Sequence, residues 1–279
     1  MARCTRSRGE VEQPRSATFT WRGRTLAYET FGRDGPLVVM LHGLLLDARS
    51  NRGTARRLAA AGCQIVLLDL LGHGRSDHPA HASEYRMDVY ADQVVALLDH
   101  LHTSKAILMG TSLGANVSLF VAVDHPDRVE GLVLEMPVLE WAVPPAAIAF
   151  APLLLAVHYA APIVRAAGAL ARRVPPGIDV LDQVLAPIVA DPDVTASVLH
   201  GVLVGPVAPT VDERRRLVQP VLVIGHELDL IHPFSDAEKL AEILPHAQLV
   251  KARTPLELRL RPNRLVGAIE RFIEECHPR

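Results

Sequence analysis

The sequence predicts an α/β fold: a parallel sheet covered by helices on both faces. Short runs of wholly apolar residues recur along the chain, and helix-length amphipathic segments separate them. Strands that alternate apolar and polar residues have one wet face, whereas uninterrupted apolar runs belong to strands buried on both. Composition permits such a core, because 49% of the 279 residues are hydrophobic and only 22% are charged.

Taken in order, Thr18–Trp21 and Thr25–Glu29 alternate in strand fashion around Arg22-Gly23, the signature of a hairpin. Leu37–Leu41 then reads as a buried strand, followed by a helix over Ser50–Ala61. Gln64–Asp69 is the next strand. Asp88–Leu101 is a helix whose apolar face holds Val89, Val94, Val95, Leu97, Leu98 and Leu101. Ala106–Met109 is a strand, Leu113–Asp124 a helix stopped by Pro126, and Gly131–Glu135 a strand. The alternation lapses over 137–219, which is rich in Ala, Pro and Leu and holds no strand-like run. Val221–Gly225, Asp236–Leu244, Gln248–Lys251 and Arg264–Glu275 then restore strand, helix, strand and helix. The segment 137–219 is therefore an insertion between neighbouring strands of one sheet, which 17–136 and 220–279 build together.

Several function classes are excluded. The 29 basic and 31 acidic residues leave a formal charge of −2, with no basic stripe for a nucleic acid. Cys4, Cys63 and Cys276 have no metal-ligand spacing and form no disulfide framework, so reduced thiols and a cytoplasmic setting are expected. Residues 1–16 carry arginines but no apolar run, which reads as a disordered basic leader rather than a secretory signal. Ile148–Leu170 is apolar enough to suggest a membrane segment, but Pro152, His158, Pro162, Arg165 and Gly168 interrupt it. It reads as the inner side of the insertion, with Pro144, Pro145, Pro152 and Pro162 cutting it into short helices. No dinucleotide fingerprint or metal-ligand cluster is present, so neither a cofactor nor a metal is expected.

The sharpest chemical signal is Gly110-Thr111-Ser112-Leu113-Gly114, between a strand and a helix. Glycines two residues either side of a serine let strand and helix pack closely while the backbone turns hard enough to lift the hydroxyl clear. Ser112 is the candidate nucleophile. After the strand Leu37–Leu41 comes His42-Gly43-Leu44, where a turn can aim the Leu44 N–H across the top of the sheet. Paired with the N–H of Leu113, it makes a candidate oxyanion hole; His42 itself reads as a structural residue holding the loop. The loop Asp69–Asp77 is glycine-rich but lacks the Gly-Lys-Ser/Thr of a phosphate cradle.

This set, with Gly72-His73-Gly74-Arg75-Ser76-Asp77 and the Gly225-x-x-x-Asp229 segment, resembles the α/β-hydrolase fold family from Trp21 to Glu275. The resemblance implies an eight-stranded, mostly parallel sheet, with 137–219 as a helical lid over the nucleophile after strand six. It also implies an acid on the loop after Val221–Gly225, where Asp229 is the matching residue; Glu227 and Glu135 are its rivals. Relatives carry the base in a Gly-His pair before the last helix. Here Thr254-Pro255 stands at that place, and Leu249–Pro262 contains no histidine.

Three explanations stay open. Another histidine supplies the base, with His232 best placed and His158, His200 and His226 behind it. Alternatively, a reduced site works through oxyanion donors and positioning alone, as in a lyase or cyclase, or the pocket only binds an apolar ligand. Arg253, Glu257 and Arg259 read as salt bridges of the vacated loop. Epoxide hydrolases and dehalogenases of this fold use aspartate at the elbow, so a serine there disfavours those chemistries. The expected activity is that of a serine-dependent esterase: hydrolysis of small apolar ester-like substrates through an acyl-serine intermediate.

Overall fold

In the computed structural model, residues 13–171, 173, 189–203 and 205–278 are described. Among them eight strands form one sheet: β1 (Arg15–Trp21), β2 (Arg24–Phe31), β3 (Leu37–Leu41), β4 (Gln64–Leu68), β5 (Ala106–Thr111), β6 (Val129–Glu135), β7 (Val221–His226) and β8 (Ala247–Ala252). Their spatial order is β1-β2-β4-β3-β5-β6-β7-β8. The hairpin β1/β2 joins the sheet antiparallel to β4, and every pairing from β4 across to β8 is parallel.

The unbroken apolar runs have a direct physical use. Along each central strand successive side chains point to opposite faces. Val39, Leu41, Val66, Leu68, Leu108, Leu132 and Leu134 join one core cluster, with α2 (Met87–His100) and α3 (Leu113–Asp124). Val38, Met40, Ile65, Leu67, Ile107, Met109 and Val133 join the other, with α1 (Arg52–Ala60) and the last helix (Asn263–Cys276). Each such side chain contributes about 1.5–3 kcal/mol when taken out of water. A polar residue at any of these positions would face a helix, which is why none occurs.

The hairpin starts earlier than the sequence suggests. Arg15 and Ser16 pair with Thr30 and Glu29, so the leader expected over 1–16 gives way to strand at Arg15. Arg15 also donates to the Gly32 carbonyl. Residues 1–12 of that leader, Cys4 among them, lie outside the described residues.

Between β6 and β7 the described residues include the helices α4 (Val143–Tyr159), α5 (Ala161–Ala171), α6 (Pro192–Leu203) and α7 (Val211–Arg215). The expectation that Pro152 would cut this run is wrong, because α4 passes through it. Pro144 and Pro145 stand in the first turn, where their missing N–H groups have no intrahelical partner to lose. Pro152 removes one bond, and the chain breaks only at Ala160, before α5. The two helices meet at 105°, and among the described residues no single helix is long and apolar enough to cross a membrane. After β7 come α8 (Phe234–Ile243), β8, a short helix α9 (Glu257–Leu260) and α10 (Asn263–Cys276).

Candidate active site

The parallel strands end on one edge of the sheet, and the loops leaving β3, β5 and β7 meet there. Ser112 stands between β5 and α3 with φ +52° and ψ −111°, a left-handed conformation that non-glycine residues rarely hold. The two flanking glycines make this possible. A Cβ on Gly110 would fall 2.1 Å from the Gly114 backbone, and one on Gly114 would fall 2.4 Å from the Leu41 carbonyl oxygen. Strand and helix are thus packed backbone to backbone, and the hydroxyl is presented at the bend.

Across the sheet edge, Asp229 and His232 share the loop between β7 and α8. Asp229 Oδ1 accepts the amides of Ile231 and His232 at 2.8 and 2.9 Å, folding the loop into a tight turn. The other oxygen, Oδ2, lies 2.9 Å from His232 Nδ1, and His232 Nε2 lies 2.9 Å from Ser112 Oγ. Burial alone would raise the Asp229 carboxyl. The hydrogen bond and charge of His232 outweigh it, with help from the two amides, and hold the group below the usual carboxylate range. With Asp229 ionised, Nδ1 carries the proton and Nε2 offers its lone pair to the serine hydroxyl.

Other sequence candidates fall elsewhere. His158 is exposed against Tyr159, and His200 is exposed on α6. His226 is buried, with Nδ1 2.6 Å from the Thr254 carbonyl. Glu227 is exposed and paired with Lys251, while Glu135 is fully buried and held by Arg259. His42 is buried too: Nδ1 donates to the Gly43 carbonyl and Nε2 accepts from the Leu70 amide, the geometry of a loop-holding residue. Glu257, on α9, accepts from the Arg253 amide and from Arg264.

Leu44 and Leu113 both line a cavity of about 240 Å³ that opens beside Ser112 and His232. Among the described residues neither amide has a hydrogen-bond partner, and Leu113 opens α3, where the helix leaves N–H groups unpaired. The remaining wall is apolar: Met87 and Ile231 from the core, Val143, Phe150 and Leu154 from α4, Leu199 and Val202 from α6.

Two polar residues that sequence reasoning missed shape this cavity. Asn116, one turn beyond Ser112, donates to the carbonyls of Val138 and Val207 and accepts from the Val138 amide. Asp236 accepts the amides of Leu139, Trp141 and Ala142, tying the start of the insertion to α8. An amide side chain in the otherwise largely apolar run Leu113–Val123, which Asn116 shares only with Ser118 as a polar residue, was the available signal. Among the described residues no three His, Cys, Asp or Glu side chains are grouped to hold a metal ion.

Comparison with known proteins agrees with this architecture. Residues 36–159 match the family model described as alpha/beta hydrolase fold. A haloalkane dehalogenase of Mycolicibacterium paratuberculosis is 34% identical over 116 residues, 40% of this chain and 38% of that protein. A 2-hydroxymuconate semialdehyde hydrolase of a Pseudomonas species is 42% identical over 99 residues, 35% of each chain. These matches span well under two thirds of either relative. Among solved structures, the enol-lactonase of Burkholderia xenovorans superposes with a TM-score of 0.74 at 21% identity, covering 92% of this chain and 99% of that one. A thermophilic esterase of Thermogutta terrifontis gives 0.72 at 24%, covering 95% and 100%.

Proposed function

Starting from the chain's membership of the α/β-hydrolase fold family, we propose that it is a serine-dependent hydrolase of small apolar ester-like substrates. The observation that carries this reading is the continuous hydrogen-bonded chain Ser112 Oγ–His232 Nε2 and His232 Nδ1–Asp229 Oδ2, each link 2.9 Å long. In the reaction, Ser112 Oγ attacks the substrate carbonyl while His232 Nε2 takes its proton. The amides of Leu44 and Leu113 receive the negative charge that develops on the carbonyl oxygen. His232 then protonates the leaving alcohol, and a water activated by the same nitrogen releases the acid from the acyl-serine. Asp229 stays ionised throughout and stabilises the imidazolium.

The nucleophile's identity selects among chemistries known in relatives. A serine that displaced a halide or opened an epoxide would form an ether, which water does not cleave. An attacking carboxylate would form an ester, which water can hydrolyse. Ser112 therefore turns over only when it attacks an acyl carbon, and the dehalogenase chemistry of the first relative does not transfer to this chain.

The cavity supports the substrate class. Asn116 has its amide committed to Val138 and Val207, so among the described residues the wall offers a ligand no further polar side chain beyond Ser112 and His232 and the two oxyanion amides. A carboxylate or hydroxyl buried there would lose its hydration without compensation, costing about 1–3 kcal/mol or more. The helices of 137–219 act as the lid that closes this pocket from water, and a cytoplasmic setting belongs to the same reading.

The test is Ser112→Ala. Turnover of a short p-nitrophenyl ester and covalent labelling by a fluorophosphonate are both expected to vanish. Unchanged turnover in the variant removes the nucleophile. Absence of labelling in the wild type, with a thermal shift from an apolar ligand, leaves only a binding role.

A further inference from the structure

Directly beneath the elbow lies a second group of buried polar side chains that the reaction does not touch. Glu135, at the end of β6, is completely buried. Its Oε1 is bonded by Arg259 Nη1, and its Oε2 accepts the Thr111 hydroxyl at 2.7 Å. Arg259 Nη2 reaches the same hydroxyl oxygen at 3.2 Å, closing a three-membered ring of contacts. His226 Nε2 lies 3.3 Å from Glu135 Oε1, and its Nδ1 holds the Thr254 carbonyl.

The members belong to the parts of the chain that deliver the reacting groups. Thr111 immediately precedes Ser112, and Glu135 is the backbone acceptor of the Ser112 amide at 2.8 Å. His226 closes β7, three residues before Asp229. Arg259 comes from α9, which follows Thr254-Pro255, the place where the resemblance would put the base. Two of these positions are each followed by a residue in left-handed conformation: Ser112 at φ +52° after Thr111, and Met136 at φ +53° after Glu135. Such conformations persist only when their surroundings fix them from several directions.

We propose that the Arg259–Glu135 ion pair is a positioning brace that locks the ends of β5, β6 and β7 together, and so sets the Ser112–His232 separation. This rests on the serine-hydrolase reading of the same site. A forked guanidinium suits the task, because it bonds Glu135 and Thr111 at once, which a lysine ammonium does with less directional constraint. Neither side chain lines the cavity, so the brace acts entirely through the geometry of the two loops.

The experiment compares Arg259→Met, Arg259→Lys and the double variant Glu135→Gln/Arg259→Met with wild type. Turnover of the p-nitrophenyl ester is measured per titrated active site, well below each variant's melting temperature. Hydrogen exchange is followed in peptides covering 110–116 and 226–234. A misplacement of about 1 Å between reacting groups costs on the order of 100-fold. Arg259→Met is therefore expected to lose about that factor in kcat with KM within about twofold, and Arg259→Lys to recover most of it. Exchange of the Ser112 amide and of the 226–234 loop is expected to accelerate in Arg259→Met. If Arg259→Met does not fold, the double variant, which leaves no buried unpaired carboxylate, carries the same comparison. Folded variants whose kcat and exchange both match wild type overturn the brace. A wild type with no turnover overturns the hydrolase reading instead, and the exchange comparison then decides the brace alone.

Discussion

Replacing Asp229 with asparagine separates the turn that its carboxylate holds from the part proposed for it in the reaction. Asparagine Oδ1 can still accept the amides of Ile231 and His232, so the turn survives. Its Nδ2, however, is a donor where Oδ2 accepted His232 Nδ1 at 2.9 Å. The imidazole must then carry its proton on Nε2, which presents an N–H instead of a lone pair to Ser112. The carboxylate's stabilisation of the imidazolium is lost as well. For unit charges about 4 Å apart at an effective dielectric of about 20, that is about 4 kcal/mol. At about 1.4 kcal/mol per tenfold this alone gives on the order of a thousandfold, and the wrong tautomer raises it toward ten-thousandfold. The assay is kcat and KM for a p-nitrophenyl ester near pH 8, with a thermal melt to show that the fold is intact. The expected result is a loss in kcat of about 10³–10⁴ at nearly constant KM and melting temperature. A loss below about tenfold would refute the tautomer argument, and with it Asp229 as the group that orients His232.

Two predictions concern stability. Gly114→Ala is expected to cost about 3 kcal/mol or more, since its Cβ would press 2.4 Å from the Leu41 carbonyl oxygen. Gly267→Ala, mid-helix on α10 with its nearest neighbour 3.7 Å away, is expected to add about 0.5–1 kcal/mol. Urea melts of the two variants check the contrast; equal shifts would discard the close-packing account of the elbow. The buried His73 is held neutral, first by burial and then by the neighbouring His42, which together push its pKa from 6.5 down to about 3. Between those values the unfolded chain binds a proton that the folded one refuses, so stability falls as pH drops below about 6.5. At pH 5 the loss is about 2 kcal/mol from this group. A His73→Gln variant whose stability falls as steeply as wild type between pH 7 and pH 5 would exclude His73 as the cause.

The roles of the glycines, the bend at Ser112 and the burial of the strands could be read without coordinates because each depends on neighbours close in sequence. Gly110 and Gly114 flank Ser112 within one strand–turn–helix unit, and the apolar runs report burial on both faces whatever the strand order. The turn of Asp229 with His232 is equally local, spanning three residues. Its place three residues after Asp229 put His232 ahead of His158, His200 and His226, but nothing local fixed which imidazole meets Ser112. That distance joins residues 120 apart in the chain and depends on β7 lying two places from β5, with β6 between them. The proline argument failed at Pro152 for a related reason: a missing backbone bond is a local cost, whereas α4 also packs Phe150, Leu153 and Leu154 against the core from distant parts of the chain.

By itself, then, the chain's order of residues determined the layered α/β architecture and the sharp bend at Ser112. These follow from periodicity and backbone sterics, which act over a few residues. Only the assembled sheet decided which imidazole reaches the hydroxyl and which cation neutralises Glu135. Charge pairing and hydrogen bonding demand distances near 3 Å, and chain segments far apart in sequence acquire such distances only when packing brings their strand ends side by side.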